Sequence, residues 1–334
     1  MAVRDLVESL SAFFRSAGPK GGSDQQAFLA EMTERVVLTA TPKIKAVRGY
    51  KKQLMPAIAR STSYFEEAVR RFHGPVLLGK ATWVSDPLVN ACFTSVEQLE
   101  SLLRKDPALR AAADRPDCRE VYFLLTMSRR EDLVYGSTLV GDLIRRDVPQ
   151  EVVTFSDHRC VAPGITLQET NDQMIRLALE LLASLASARI LETRRQLEDL
   201  ERERTSLGYE LKIVQLKVKG LGQALAEHGE VERDLNAGGK TMAHLDEEIA
   251  RLKSEFSDLK DYLTLVEAIF SSPGDMLRFE DTTLAVNRAG IKNYTGTDDP
   301  SRPIRFTQLS TSERSRAAFL AVSPVDEILD QSDR

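Results

Sequence analysis

Cysteine, tryptophan and histidine are scarce in this chain of 334 residues, which holds three, one and four of them. Cys92, Cys118 and Cys160 are too few and too scattered for a disulfide framework, which excludes the small stapled folds and fits a reducing compartment. Histidines stand at 73, 158, 228 and 244, and no Cys-x-x-Cys or His-x-x-x-His pair exists, so no metal centre is expected. Aromatic residues make up 6% of the chain, leaving few rings on which bases would stack. Positive charge is not in excess either. The net charge is -5, against a broadly basic surface that wraps nucleic acid.

Long hydrophobic runs are also missing. The best membrane candidate, residues 177 to 191, is short, contains Glu180 and Arg189, and runs into Glu192, so it reads as a buried helix and no transmembrane segment is expected. The first residues carry Arg4, Asp5 and Glu8 and lack the apolar core of a signal peptide, and the Asn293-Tyr294-Thr295 sequon gets little weight accordingly. Catalytic signatures are absent as well. No Gly-x-Ser-x-Gly, His-Glu-x-x-His, Rossmann glycine run or phosphate loop occurs, and Gly18-Pro19-Lys20-Gly21-Gly22 lacks the Lys-Ser/Thr ending, so no cofactor is expected.

What the chain does have is 42% hydrophobic and 28% charged residues, enough to fold as one large or two modest domains. Its pattern predicts an α+β protein, predominantly α-helical, in four stretches. Residues 1–75 form an N-terminal helical region, in which the stretch from Pro42 to Phe72 is helical with a kink or break near Gln53 imposed by Pro56. Residues 76–169 form the first part of a head: a helix start at Ser85-Asp86-Pro87, a helix capped by Ser95 and Gln98 that ends near Ala113, and a three-stranded antiparallel meander turning at Arg129-Arg130 and Arg146 to Pro149. Residues 272–334 return to that sheet with short strands turning at Glu280-Asp281 and at Asn287 to Gly290, before a polar tail frays beyond Leu329.

Between them, residues 170–271 carry the strongest signal. Met242, Leu245, Ile249, Leu252, Phe256, Leu259, Leu263, Val266 and Phe270 recur at alternating spacings of three and four. Upstream, Leu207, Leu211, Val214, Val218, Leu221, Leu225 and Leu235 fill the a and d positions of heptads. A reversal at Asn236 to Gly239 would set Leu235 against Met242, Leu225 against Leu252, Leu221 against Phe256, Leu211 against Val266 and Leu207 against Phe270, in an antiparallel coiled-coil hairpin about 44 Å long. Arg204 and His228 interrupt the seam: Arg204 is expected to pair with Asp275 or Glu267, and His228 to lie opposite Ile249 and fix the register.

Two sets of side chains are candidates for function. Lys43, Lys45, Arg48, Lys51, Lys52, Arg70 and Arg71 make a basic helix face, either a solvated surface or a site for an anionic partner. Ser156-Asp157-His158-Arg159-Cys160 resembles a reactive cluster, but no third orienting group is evident beside Cys160 and His158. The balance predicts no enzyme. It favours a non-enzymatic adaptor or structural subunit of a cytoplasmic, bacterial assembly, contacting a protein partner or another copy through the coiled coil. The alternative is a nucleic-acid-associated accessory protein that holds phosphates on the basic face, and a hydrolase or transferase site in the head ranks third.

Overall fold

The computed structural model describes residues 22–140, 143–219, 228–292 and 300–329, with 22–24, 138–140, 143–145, 217–219 and 228–235 described as backbone alone. The protein is mixed helix and antiparallel sheet, with one helix of 53 residues. It divides into two units. One comprises residues up to Ile58 together with Ala183–Phe270; the other comprises Ala59–Leu182 together with Ser271 onward.

The first unit is helical. It contains α1 (Gly22–Ala40), a 3-10 turn (Pro42–Ala46) and the start of α2 (Tyr50–Arg71). Gly49, at φ +82°, takes the left-handed conformation that separates that turn from α2. The interruption therefore falls before Tyr50, and α2 passes through Pro56 as one helix instead of breaking near Gln53. The remaining elements are the later part of α7 (Leu167–Lys219), α8 (His228–Glu255) and α9 (Leu259–Ser271). Met32, Val36, Val37, Leu54, Ile58, Ile190, Leu263, Val266 and Phe270 are buried here.

The return arm is two helices and not one. Asp258 and Asp261 stop it: the Asp258 carboxylate accepts the Leu259 N–H at 2.6 Å and Asp261 accepts the Asp258 N–H at 2.7 Å. Asp261, three residues into the new turn, thus holds the Asp258 N–H as the returning half of a capping box, and a new helix starts at Leu259, leaving Phe256 to Asp258 outside both. The expected tight reversal at Asn236 to Gly239 is also overturned, because all four residues are helical within α8. The segment joining α7 to α8, residues 220–227, lies outside the described residues.

The second unit is built on a sheet. Short elements lead into it: β1 (Val76–Leu77), α3 (Lys80–Ser85), α4 (Pro87–Cys92), α5 (Val96–Lys105) and α6 (Pro107–Ala113). Asp86 caps α4 by accepting the Leu88 and Val89 N–H groups. Ser95 accepts the Gln98 N–H, while the Gln98 side chain returns to the Thr94 N–H. Asp106-Pro107 then ends α5 and caps α6, so the helix expected to run to Ala113 is two helices.

The meander expected over 119 to 161 is instead one long hairpin, β2 (Glu120–Val140) and β3 (Leu143–Gly164). Arg129-Arg130 and Arg146 to Pro149 lie inside strands. β3 absorbs the length through three bulges, at which one β2 residue faces two on β3, and each contains a left-handed residue: Asp147, Asp157 and Ala162. After α10 (Pro273–Met276) come β4 (Arg278–Val286), β5 (Arg302–Ser310), β6 (Ser315–Pro324) and α11 (Val325–Ile328). Glu280-Asp281 is mid-strand. The expected turn is at Asn287 to Gly290, where the Asn287 carboxamide accepts the Ala289 and Ile291 N–H groups.

The strand order is β3-β2-β6-β5-β4, with β1 parallel to β6. Single bridges from Val286 to Lys292 and from Val152 to Ile291 link the turn after β4 to β3. Phe123, Leu125, Phe155, Phe306 and Phe319 belong to one buried cluster with residues of α4, α5 and α6. Ile328 and Leu329 are buried too, so order reaches at least Leu329.

Candidate functional site

The seam residues fall into three groups. Leu245, Ile249, Leu252, Leu263, Val266 and Phe270 are buried; Leu207, Leu211, Val214, Met242 and Phe256 are half-buried; Leu259 is exposed. Val218, Leu221, Leu225, Leu235 and His228 lie outside the described side chains. Where α7 and α8 touch, the partners step in opposite directions along the two helices. Glu201 pairs with Lys253 at 2.7 Å, Arg204 pairs with Asp246, Gly208 approaches the Met242 methyl, and Leu211 lies over Gly238. A Cβ at Gly238 would stand 2.4 Å from the Leu211 Cδ2, so this glycine serves close approach and not chain reversal.

The register therefore differs from the expected one. Leu211 meets Gly238 and not Val266, a position 28 residues further on, or four heptads. A seam of period seven is unchanged by a slip of whole heptads, so apolar pairing alone does not choose between them. Arg204 likewise pairs with Asp246 and not with Asp275 or Glu267. Glu267 instead accepts the Gln53 carboxamide N–H at 2.6 Å.

Along α7 the burial changes. Ile175, Leu179, Leu182, Ala183, Ala186 and Ile190 are buried. From 207 to 216, by contrast, Leu207, Tyr209, Leu211, Ile213, Val214 and Leu216 are all half-buried or exposed. Tyr209, Ile213 and Leu216, at i, i+4 and i+7, are 65%, 53% and 63% exposed and share one outward face. Sequence reasoning passed over this second face because it searched for one seam and found it.

The basic set is divided between the two units. Lys43 to Lys52 belong to the first unit, and Arg70 and Arg71 to the second. Within the first, Glu34 of α1 accepts Lys51 at 2.6 Å, Lys45 at 3.1 Å and the Tyr50 hydroxyl at 2.6 Å. Lys51, Tyr50 and Lys45 together hold the Glu34 carboxyl well below its ordinary range, at about 2. Lys43 sits over the Tyr262 ring at 5.6 Å. Arg48 and Lys52 remain exposed with no partner among the described residues.

The Ser156 to Cys160 cluster is part of the sheet's architecture. Asp157 sits in a bulge and pairs with Arg316 at 2.7 Å and with Arg159 at 3.2 Å, which lowers its pKa. His158 stacks on Phe93, with centroids 4.6 Å apart, and its Nε2 lies 2.8 Å from the Cys92 carbonyl oxygen. That contact uses Nε2–H as donor, and burial pushes the imidazole pKa down, so the ring is neutral at pH 7. Burial also raises the pKa of Cys160, with Asp106 adding to the shift, leaving the thiol protonated and a poor nucleophile. Trp83 packs against the hydrophobic core of this unit and donates its indole N–H to the Phe93 carbonyl at 2.9 Å. The same unit has a small hollow of about 20 Å³ lined by Asp86, Asn90, Asn287, Arg288 and Arg302, among others, and none of the Ser156 to Cys160 residues lines it.

Among the described residues, no group of three His, Cys, Asp or Glu side chains is placed to hold a metal ion. No described helix is long and apolar enough to cross a membrane. Comparison with protein-family models, with curated proteins and with solved structures gave no match for this chain.

Proposed function

We propose that the chain is a non-enzymatic adaptor or structural subunit of an intracellular protein assembly, and that α7 and α8 form an antiparallel coiled-coil hairpin through which it meets a protein partner. The observation that carries this reading is the outward face of α7 formed by Tyr209, Ile213 and Leu216, all exposed, beside the half-buried seam residues Leu207, Leu211 and Val214. Apolar surface ordered at helical spacing and left in water is the mark of a face awaiting another helix. The antiparallel contacts from Glu201–Lys253 to Leu211–Gly238 support the hairpin itself.

The state of the polar clusters supports a non-enzymatic role. His158 and Asp157 are engaged in packing and ion pairs, and Cys160 is held protonated. The phosphate-binding alternative draws less support, since Glu34 takes two of its lysines and Tyr262 a third. The test is native purification from the source cells of the full chain and of the Tyr209→Ser, Ile213→Ser, Leu216→Ser triple variant. A stoichiometric partner retained by the first and lost by the second, with unchanged unfolding midpoints, upholds the reading. Equal retention by both chains, or no partner with either, overturns it.

A further inference from the structure

A second unpartnered surface lies in the sheet unit, away from the residues on which the proposed function rests. β6 accompanies β2 from Glu120 only as far as Met127. On the other side, the turn at 287–292 holds β3 at Glu151 to Val153. Beyond these points β2 and β3 continue as a two-stranded ribbon with no third strand among the described residues. Such ribbons are marginal in water. This one is also apolar on both faces, because Leu133 and Tyr135 point to one side and Val134 to the other, with exposures of 62%, 71% and 40%.

The two rims of the ribbon differ. The β3 rim carries Pro149, which has no N–H, and the Asp147 bulge at φ +55°, two features that keep a further strand from pairing. The β2 rim from Asp132 to Gly136 has neither proline nor bulge. A row of unpaired N–H and C=O groups is complementary to another strand rim and to little else. Protection of one rim and not the other marks the open one as the docking edge.

We infer that a second copy of this chain adds its own β2 to that rim, antiparallel about a two-fold axis, to make a continuous β3-β2-β2-β3 sheet. The charge pattern fits a self-pairing centred on Val134. Leu133 then lies opposite Tyr135 of the second copy, and the reverse, two aliphatic–aromatic cross-strand pairs. Val134 meets its own counterpart. Asp132 lies opposite Gly136, so no two like charges face each other. The contact is isologous and closes as a dimer.

The test uses the full chain, followed by light scattering from low to high micromolar concentration, and two cysteine variants, Val134→Cys and Gln150→Cys, under mild oxidation. The pairing predicts a dimer of twice the chain mass, rapid disulfide-linked dimer from Val134→Cys, and no faster linkage for Gln150→Cys than for the unaltered chain. Leu133→Lys with Tyr135→Lys should give a monomer whose unfolding midpoint equals that of the unaltered chain at concentrations low enough to be monomeric, as both side chains are exposed in one copy. A monomer at every concentration, linkage through Gln150→Cys as fast as through Val134→Cys, or a dimer that survives the two lysines would overturn the inference. The triple serine variant of α7 separates this contact from the hairpin's. It should still dimerise; a loss of the dimer in that variant alone would assign self-association to α7 and defeat the ribbon proposal.

Discussion

Two long pieces of this chain begin in a core and end away from one. α7 buries Ile175, Leu179, Leu182, Ala186 and Ile190, then buries none of its apolar residues from 207 to 216. β2 buries Val121, Phe123, Leu125 and Met127, then leaves Leu133, Val134 and Tyr135 largely in water. The helix satisfies its own backbone wherever it goes, so its distal part leaves only side chains uncovered. The ribbon satisfies half of each strand's backbone groups through its partner and leaves the other half at the rims. Uncovered helix therefore offers an apolar face, whereas uncovered ribbon offers an apolar face and a hydrogen-bonding edge.

The comparison breaks most sharply if root and distal residues respond alike to truncation. Phe155, buried and edge-on to Phe306 at 5.7 Å, should lose about 3–5 kcal/mol as Phe155→Ala in denaturant unfolding, and Tyr135→Ala at most about 0.5 kcal/mol in the isolated chain. Equal losses would mean that the distal ribbon is already part of a core.

The helix pair yields a smaller contrast between neighbours. Gly238→Ala drives a Cβ toward Leu211, whereas Gly239→Ala meets nothing within 4 Å. Gly239→Ala should stabilise by up to about 1 kcal/mol through helix propensity, and Gly238→Ala should lie about 1 kcal/mol or more below it. Thermal melts of the two variants check the register. Asp258→Ala removes the cap between α8 and α9 and should cost about 1 kcal/mol in the same assay.

Acid should act on the two units at different pH. His158 has a folded pKa below its ordinary 6.5, so the unfolded chain binds the proton more readily; its stabilising contribution is complete above pH 6.5 and is lost as pH falls through the folded value. Glu34, lowered from 4.5 to about 2, contributes above pH 4.5, and that contribution is lost as pH falls from there toward 2. His158→Phe should flatten the stability profile just below pH 6.5, and Glu34→Gln the profile below 4.5. Arg204→Ala should have only a small effect, because its ion pair with Asp246 is half-exposed and fades with added salt.

The sequence made the helix pair legible and misplaced its register for one reason. Heptads report which residues face a partner and are silent about slips of whole heptads, so Leu211 was equally at home opposite Val266 and opposite Gly238. The ion pairs Arg204–Asp246 and Glu201–Lys253 break that degeneracy, but they join charges more than forty positions apart. Strands were harder. β6, between β2 and β5 in the sheet, reads Ser-Arg-Ala-Ala-Phe-Leu-Ala-Val-Ser-Pro, buried on both faces, without the alternation that marks a half-buried strand. The bulge at Asp147 lets β3 run through residues that read as a turn. His158 and Asp157 looked reactive because their bulge, Phe93 and Arg316 come together only in the folded sheet.

Amide hydrogen exchange across a dilution series tests the central comparison most directly, since it reads both distal regions in one sample. The account predicts slow exchange from Val121 to Met127 at every concentration, with protection of Asp132 to Gly136 that rises with concentration. Residues 207 to 216 should exchange at one unchanging rate over the same series. Fast exchange at 132 to 136 at all concentrations, or concentration dependence at 207 to 216 alone, would contradict it.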